Sequence, residues 1–338
     1  MVRVTDDAAQ LDGWIPVRLN WSDGRPVIDW CFLGKRGFKE SSFERTVETC
    51  VRYPANLLFR HQTSIDILLQ LRETRPGLKP TGFVFHMSRC GATSLPRMLA
   101  ALPENIVISE ARPIDSVLRA HLRHEKISDL ERVNWLRGMV SALGQQRLGM
   151  ERHLFIIFHS WNVMELPLVR SAFPDVPWVF LYRDPLEVLV SQLGQRGAAT
   201  IPSIFPPEYF GMKAADAVLM GPEEYCATVL AAICQTALKQ YDDGGMLINY
   251  SELPEVAWSR ISKLFGVSCS DSEEKTANCD TTFDRKKTDL PVQVDSGGKQ
   301  ASPSQRSREV ANRLLYPVHE RLETARLARR RAGASPPS

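Results

Sequence analysis

Two short segments combine an apolar strand, an arginine and a helix start, in the order that an anion site needs. The first is Phe83-Val84-Phe85-His86-Met87-Ser88-Arg89-Cys90-Gly91-Ala92-Thr93-Ser94-Leu95. Backbone N–H groups at a helix start lack intrahelical partners, and with the helix dipole they attract anions. Gly91 lets the backbone approach a phosphate closely. Arg89 adds a fixed positive charge, and Thr93 and Ser94 add hydroxyl donors. The ordinary phosphate loop reads G-x-x-x-x-G-K-S/T. Here no glycine leads and no lysine follows Gly91, which disfavours a standard ATP or GTP site.

The second segment is Val179-Phe180-Leu181-Tyr182-Arg183-Asp184-Pro185-Leu186-Glu187-Val188-Leu189-Val190-Ser191. An apolar run ends in Arg-Asp-Pro and a helix begins. Asp184 suits the N-cap and Pro185 the first turn. Ser191 lies two helical turns beyond Arg183, so both side chains can converge on one anion. Each segment alone could be a strand-to-helix turn with a surface arginine. Their occurrence together, in this order and each behind a buried-type strand, argues for phosphate chemistry.

These two segments resemble the donor-binding motifs of sulfotransferases that use 3′-phosphoadenosine 5′-phosphosulfate (PAPS). That family carries a K/R-S-G-T-T-W/L loop after its first strand, and Arg89-Cys90-Gly91-Ala92-Thr93-Ser94 is similar to it. Cys90 and Ala92 replace a serine and a threonine, so those positions would bind through backbone N–H alone. The resemblance implies that Ser88, Arg89, Cys90, Gly91, Ala92, Thr93 and Ser94 grip the 5′-phosphosulfate. Arg89 would sit near the bridging oxygen, and it would act electrostatically because arginine does not give up its proton. The family's second motif, R-x-P/D-x-D/E-x-x-x-S, implies that Arg183 and Ser191 hold the 3′-phosphate. Asn249-Tyr250-Ser251-Glu252-Leu253 resembles a segment near the family's adenine site and implicates Tyr250. Phe283-Asp284-Arg285-Lys286-Lys287 resembles a basic segment that folds over the cofactor, with Arg285 and Lys286 as contacts. The expected glycine is displaced to Gly297-Gly298. The resemblance covers about residues 81–290.

Sulfuryl transfer is in-line attack by a hydroxyl or amine on sulfur. The enzyme must orient the acceptor, take its proton and stabilise charge on the leaving phosphate. Two residues compete for the base. Glu110, in Ser109-Glu110-Ala111-Arg112-Pro113, matches the family's S-E-P segment except at Ala111. His159 ends the run His153-Leu154-Phe155-Ile156-Ile157-Phe158 and resembles the histidine of a K-T-H-L-P segment, although Ile157 stands where the lysine would be. A histidine needs little tuning near neutral pH, whereas a glutamate needs a raised pKa. Glu110 keeps more of its local pattern and is ranked first. His86 reads as a polar core residue.

The elements that must position these groups follow from periodicity. Apolar runs at 82–87, 106–108, 153–158, 178–182 and 246–250 read as strands. Helices are expected at 93–102, 130–146, 186–193, 222–241, 258–265 and 314–327. Alternation of this kind implies a parallel sheet with helices on both faces, and ligands at the carboxyl ends of its strands. With the resemblance, the expected class is α/β: a three-layer P-loop NTPase-like fold with a central parallel sheet, of sulfotransferase type. Residues 1–80, with short strands at 14–17 and 26–30 and helices at 43–51 and 64–74, are expected to form an accessory or cap segment. Residues 81–327 would be the sulfotransferase-like domain. Residues 268–308 read as a mobile loop and 328–338 as a disordered tail. Residues 194–207 read as a lid.

The 338 residues carry 42 Lys and Arg against 39 Asp and Glu, a balance too even to argue for nucleic acid. The seven cysteines form no C-x-x-C pair, so no zinc site and no other metal is expected, and the thiols imply a reducing, cytoplasmic compartment. No signal peptide and no membrane span are expected. The partner would be a small-molecule acceptor. Two alternatives stay open: a small-molecule kinase or nucleotide phosphotransferase, against which the missing lysine argues, and an inactive nucleotide-binding member of the same fold.

Overall fold

The computed structural model describes residues 2–4, 11–40, 42–90, 94–253, 255–267 and 303–333. In chain order the strands are β1 (Val2–Val4), β2 (Trp14–Ser22), β3 (Arg25–Phe32), β4 (Arg60–Ser64), β5 (Pro80–His86), β6 (Asn105–Ser109), β7 (His153–Ile157), β8 (Trp178–Tyr182) and β9 (Gly245–Asn249). The helices up to β8 are α1 (Phe43–Val51), α2 (Pro54–Leu58), α3 (Ile65–Thr74), α4 (Ser94–Ala100), α5 (Arg112–Leu118), α6 (Asp129–Leu143) and α7 (Leu166–Ala172). After β8 come α8 (Pro185–Gly194), α9 (Ala214–Leu219), α10 (Pro222–Lys239), α11 (Glu255–Phe265), α12 (Gln305–Val310) and α13 (Tyr316–Gly333).

The fold class is α/β. A five-stranded sheet has the order β6-β7-β5-β8-β9, and helices flank it. The pairs β6·β7 and β8·β9 are parallel, as the alternating pattern requires. Two compact units divide the chain: Met1–Phe83 with Pro96–Pro177, and Val84–Leu95 with Trp178–Ser338.

In the first unit, a four-stranded sheet of order β1-β4-β3-β2 is built on the β2–β3 hairpin. β4 pairs antiparallel with β3 and parallel with β1. β4 escaped the sequence reading because Arg-His-Gln-Thr-Ser has no apolar residue. Its alternation is nonetheless that of a strand, with His61 and Thr63 buried between exposed or half-buried neighbours. The long helix α6 starts from a capping box: the Ser128 hydroxyl accepts from the Glu131 N–H, and Glu131 reaches back to the Ser128 N–H. It ends at Gly144, where an added Cβ would lie 2.7 Å from a Leu154 methyl.

In the second unit, every residue of β8 is buried, the pattern of a strand covered on both faces. Burial of Val229, Leu230, Ile233 and Ala237 fixes the inner face of α10. α12 passes through a π-helical stretch, Ala311–Leu315, into α13. Residues 328–333, expected at the start of a frayed tail, are helical. Arg329 explains the extension, donating to the carbonyls of Asp242 at 2.5 Å and Gly245 at 2.7 Å. Of the expected mobile loop, residues 268–302 lie outside the described residues, and 305–308 belong to α12. Among the described residues no helix is long and apolar enough to cross a membrane. Cys31, Cys50, Cys90, Cys226 and Cys234 are buried free thiols.

Candidate functional site

The second unit holds the arginines of both sequence motifs. After β5 the chain turns through Ser88 (φ 75°) and Arg89 (φ 48°), two consecutive non-glycine residues in left-handed conformation. Such residues persist only where surroundings hold them, and they gather at ligand sites. The holding bonds are visible. The Met87 N–H donates to the Leu181 carbonyl at 3.0 Å, and the buried Cys90 thiol donates to the same oxygen at 3.4 Å. Cys90 is therefore an anchor to β8, a role that its family-like serine position did not reveal. Gln192 of α8, almost wholly buried, donates to the Ser88 hydroxyl at 2.7 Å and accepts from the Gly197 N–H at 2.7 Å. Arg89 donates to the backbone oxygen of Gln195 at 2.7 Å and to its side-chain oxygen at 2.8 Å. Gly91, Ala92 and Thr93 lie outside the described residues, and Ser94 opens α4.

At the carboxyl end of β8 the local sequence does what its residue types dictate. Asp184 caps α8, its Oδ1 accepting from the N–H groups of Leu186 and Glu187 at 3.0 Å each. Pro185 occupies the first helical position. Arg183 projects from the strand end with its guanidinium 4.9 Å over the Tyr250 ring. It also forms an ion pair with Glu187, one turn into the helix. Ser191 is exposed on α8 one further turn along, so positions 183, 187 and 191 follow one helical face.

Arg183, Glu187, Tyr250 and His319 line a cavity of about 400 Å³, together with Asp184, Asn249 and Ser251. The sequence reading missed His319, whose Nε2 is buried without a hydrogen-bond partner. Helix α13 braces this region with three residues on one face. The Tyr316 hydroxyl donates to Asp184 Oδ2 at 3.1 Å. The His319 ring meets Tyr182 edge-on at 5.7 Å. Glu323 accepts from the Tyr182 hydroxyl at 2.6 Å and from Asn249 Nδ2 at 2.9 Å, joining the ends of β8 and β9. Burial acts to raise the Glu323 pKa, but bonds from Arg326, Asn249 and Tyr182 outweigh it and hold the carboxyl at about 2. These contacts span 74 to 141 residues of sequence, and no local pattern announces them. Arg285 and Lys286 lie outside the described residues.

The first unit holds both base candidates, and it brings them together. Glu110 follows β6 and His159 follows β7, whose neighbouring register is Ser109 against Ile157. The Glu110 N–H continues that ladder by donating to the Ile157 carbonyl at 2.8 Å. Glu110 then turns with φ 55°, and its Oε2 lies 3.9 Å from His159 Nδ1. The His159 ring stacks on Trp161 at 4.4 Å with an interplanar angle of 7°. Trp161 Nε1 donates to buried Asp115 at 2.6 Å, and Asn162 donates to the same carboxylate at 2.8 Å. Burial acts to raise the Asp115 pKa, but the Arg119 hydrogen bond and charge overcome it and keep the group ionised. Asp115 was not singled out from the sequence, though it follows Glu110 by only five residues. His86 is a buried core residue, with Nδ1 accepting from the Ser88 N–H at 3.1 Å.

No family model matches the chain, and no curated protein matches it. Solved structures do resemble it distantly. A sulfotransferase from Alicyclobacillus acidocaldarius shares 15% identity over 73% of this chain and 96% of its own, with a TM-score of 0.42. Mouse sulfotransferase SULT7A1, complexed with PAP, shares 13% identity over 79% of this chain and 94% of its own, with a TM-score of 0.44. Sulfotransferase STF9 from Mycobacterium avium shares 11% identity over 77% of this chain and 81% of its own, with a TM-score of 0.43.

Proposed function

We propose that the chain is a sulfotransferase that moves a sulfuryl group from PAPS to a hydroxyl or amine of a small-molecule acceptor. One observation carries the reading: a cavity at the carboxyl ends of two parallel strands, in which an arginine lies over a tyrosine ring. Carboxyl ends are where open α/β sheets bind ligands. The cavity's chemistry fits a phosphorylated nucleoside. Arg183 offers paired donors to a phosphate, Tyr250 offers a flat face, and the His319 ring borders the same cavity. Ser191 follows Glu187 along the same helical face and completes the donor set.

In the reaction a new bond forms between the acceptor oxygen or nitrogen and sulfur. The bond between sulfur and the bridging phosphate oxygen breaks, and the electron pair leaves with the phosphate. Arg89, on its left-handed turn, supplies positive charge for that leaving group. Glu110 accepts the acceptor's proton. His159 stands 3.9 Å from the carboxylate, within charge range, and Trp161 stacks on its imidazole.

The test is calorimetric titration with 3′-phosphoadenosine 5′-phosphate (PAP), the spent donor, beside ATP with Mg²⁺. PAP should bind at least tenfold tighter than ATP, and Arg183→Ala should lose the PAP signal. No PAP binding would remove the main support of the assignment, and binding of ATP with Mg²⁺ alone would turn it towards phosphotransfer.

A further inference from the structure

The first unit contains a second cavity, of about 640 Å³, that none of the donor or base residues lines. Its size is that of an ordinary small-molecule pocket. Trp14, Trp30 and Phe32, from the facing strands β2 and β3, make its aromatic wall. Trp30 spends its only donor on Thr63 Oγ1 at 2.9 Å, so it presents an apolar surface. The wall is closed where the chain turns at Gly13 (φ 75°), whose carbonyl accepts from the N–H groups of Leu33 and Gly34 at 2.9 Å each. A Cβ at Gly13 would stand 2.8 Å from the Phe32 ring, so glycine is needed for that approach.

The rest of the lining is cationic: Lys35, Arg36, Arg75 and Arg147, against the single acid Asp12. Two of these charges have carboxylate partners. Arg36 pairs with Glu40 and donates to the Tyr53 hydroxyl at 2.7 Å. Arg75 stands 3.6 Å from Asp12, an acid 95% exposed and so largely screened. Arg147 spends NH1 on the Gln145 carbonyl at 2.7 Å, while its Nε is buried with no hydrogen-bond partner. Burial pushes the Arg147 pKa down to about 10, against the pull of Glu151. An anion in the cavity would offset that desolvation through the guanidinium charge.

We propose that this cavity binds a small planar aromatic anion, with its ring against the wall of Trp14 and Phe32, whose own rings meet at 5.5 Å, and its charged head at Arg75 and Arg147. It is separate from the Glu110–His159 pair. Its residues 145–147 lead into the amino end of β7 through Glu151, which accepts from the Arg147 and Leu148 N–H groups at 3.0 and 2.9 Å. His159 follows the carboxyl end, and the five residues of β7 advance about 13 Å between.

The probe is naphthalene-2-sulfonate, titrated by calorimetry beside its neutral sulfonamide and the cation 2-naphthylmethylammonium. The sulfonate should bind once per chain. The sulfonamide should be about tenfold weaker, as expected for loss of a charge-assisted pair, and the ammonium should not bind. Arg147→Gln and Trp14→Leu should each weaken the sulfonate about tenfold or more. Arg75→Gln, at a side chain 37% exposed, makes the same test without touching the interior. Arg183→Ala should leave sulfonate binding intact. Equal binding of all three probes, no binding at millimolar concentration, indifference to Arg75→Gln, or loss in Arg183→Ala would each overturn the assignment.

Discussion

Glu187 holds the guanidinium of Arg183 one helical turn above the Asp184 cap, on the face that carries Ser191. The carboxylate therefore occupies the donor fork that a ligand phosphate would take. Binding must exchange one anion for the other, and the Glu187 side chain, 56% exposed, is free to swing into solvent.

That exchange makes Glu187→Gln informative. Removing the competing charge should tighten PAP binding by about threefold to tenfold, since an exposed pair is worth up to about 1 kcal/mol. Arg183→Ala should abolish binding, and calorimetry reads both. Weaker binding in Glu187→Gln would mean that Glu187 positions the arginine.

The Glu110–His159 pair should separate chemistry from binding. Glu110→Gln should lower turnover by about 10²- to 10⁴-fold, the usual contribution of a positioned base. PAP affinity should stay within a factor of two. His159→Asn should cost less, because a carboxylate that accepts the proton directly survives the loss of its neighbour. The opposite ranking would make His159 the base and Glu110 its orienting partner. Either ranking is read from PAP release once an acceptor is in hand.

Glu323 links stability to pH. Its folded pKa is about 2 against an ordinary value of 4.5. Its contribution is thus fully present above about pH 5 and is lost as pH falls through 4.5 towards 2. Glu323→Gln should cost about 1–2 kcal/mol at pH 7, discounted for partial exposure. The deficit should shrink steadily in urea melts between pH 5 and pH 3. A pH-independent deficit would show that shape, and not charge, ties α13 to Tyr182 and Asn249.

Gln192 is the buried support of the first loop. Gln192→Leu would leave the Gly197 N–H without its acceptor and Ser88 without its donor. The expected loss is about 2–3 kcal/mol of unfolding free energy. A shift in the urea midpoint with unchanged slope checks it.

Much of this arrangement was legible in the sequence for a plain reason. Strands such as β7 and β8 are buried on both faces, so they read as unbroken apolar runs. The residues just after them, Glu110, His159, Arg183 and Tyr250, fall at strand ends by position alone. What stayed hidden depends on distance or on polar composition. β4 has no apolar residue to mark it. The α13 face of Tyr316, His319 and Glu323 lies in a charged helix, and its partners Asp184, Tyr182 and Asn249 are 74 to 141 residues away. Cys90 looked like a lost hydroxyl in a binding loop, and only the Leu181 carbonyl reveals its task.

The most direct measurement is a crystal structure with PAP bound. The account places the 3′-phosphate within hydrogen-bond distance of Arg183, with the Arg183–Glu187 pair broken. The nucleoside would lie beside Tyr250. Nucleotide density elsewhere, with the Arg183–Glu187 pair intact, would contradict it.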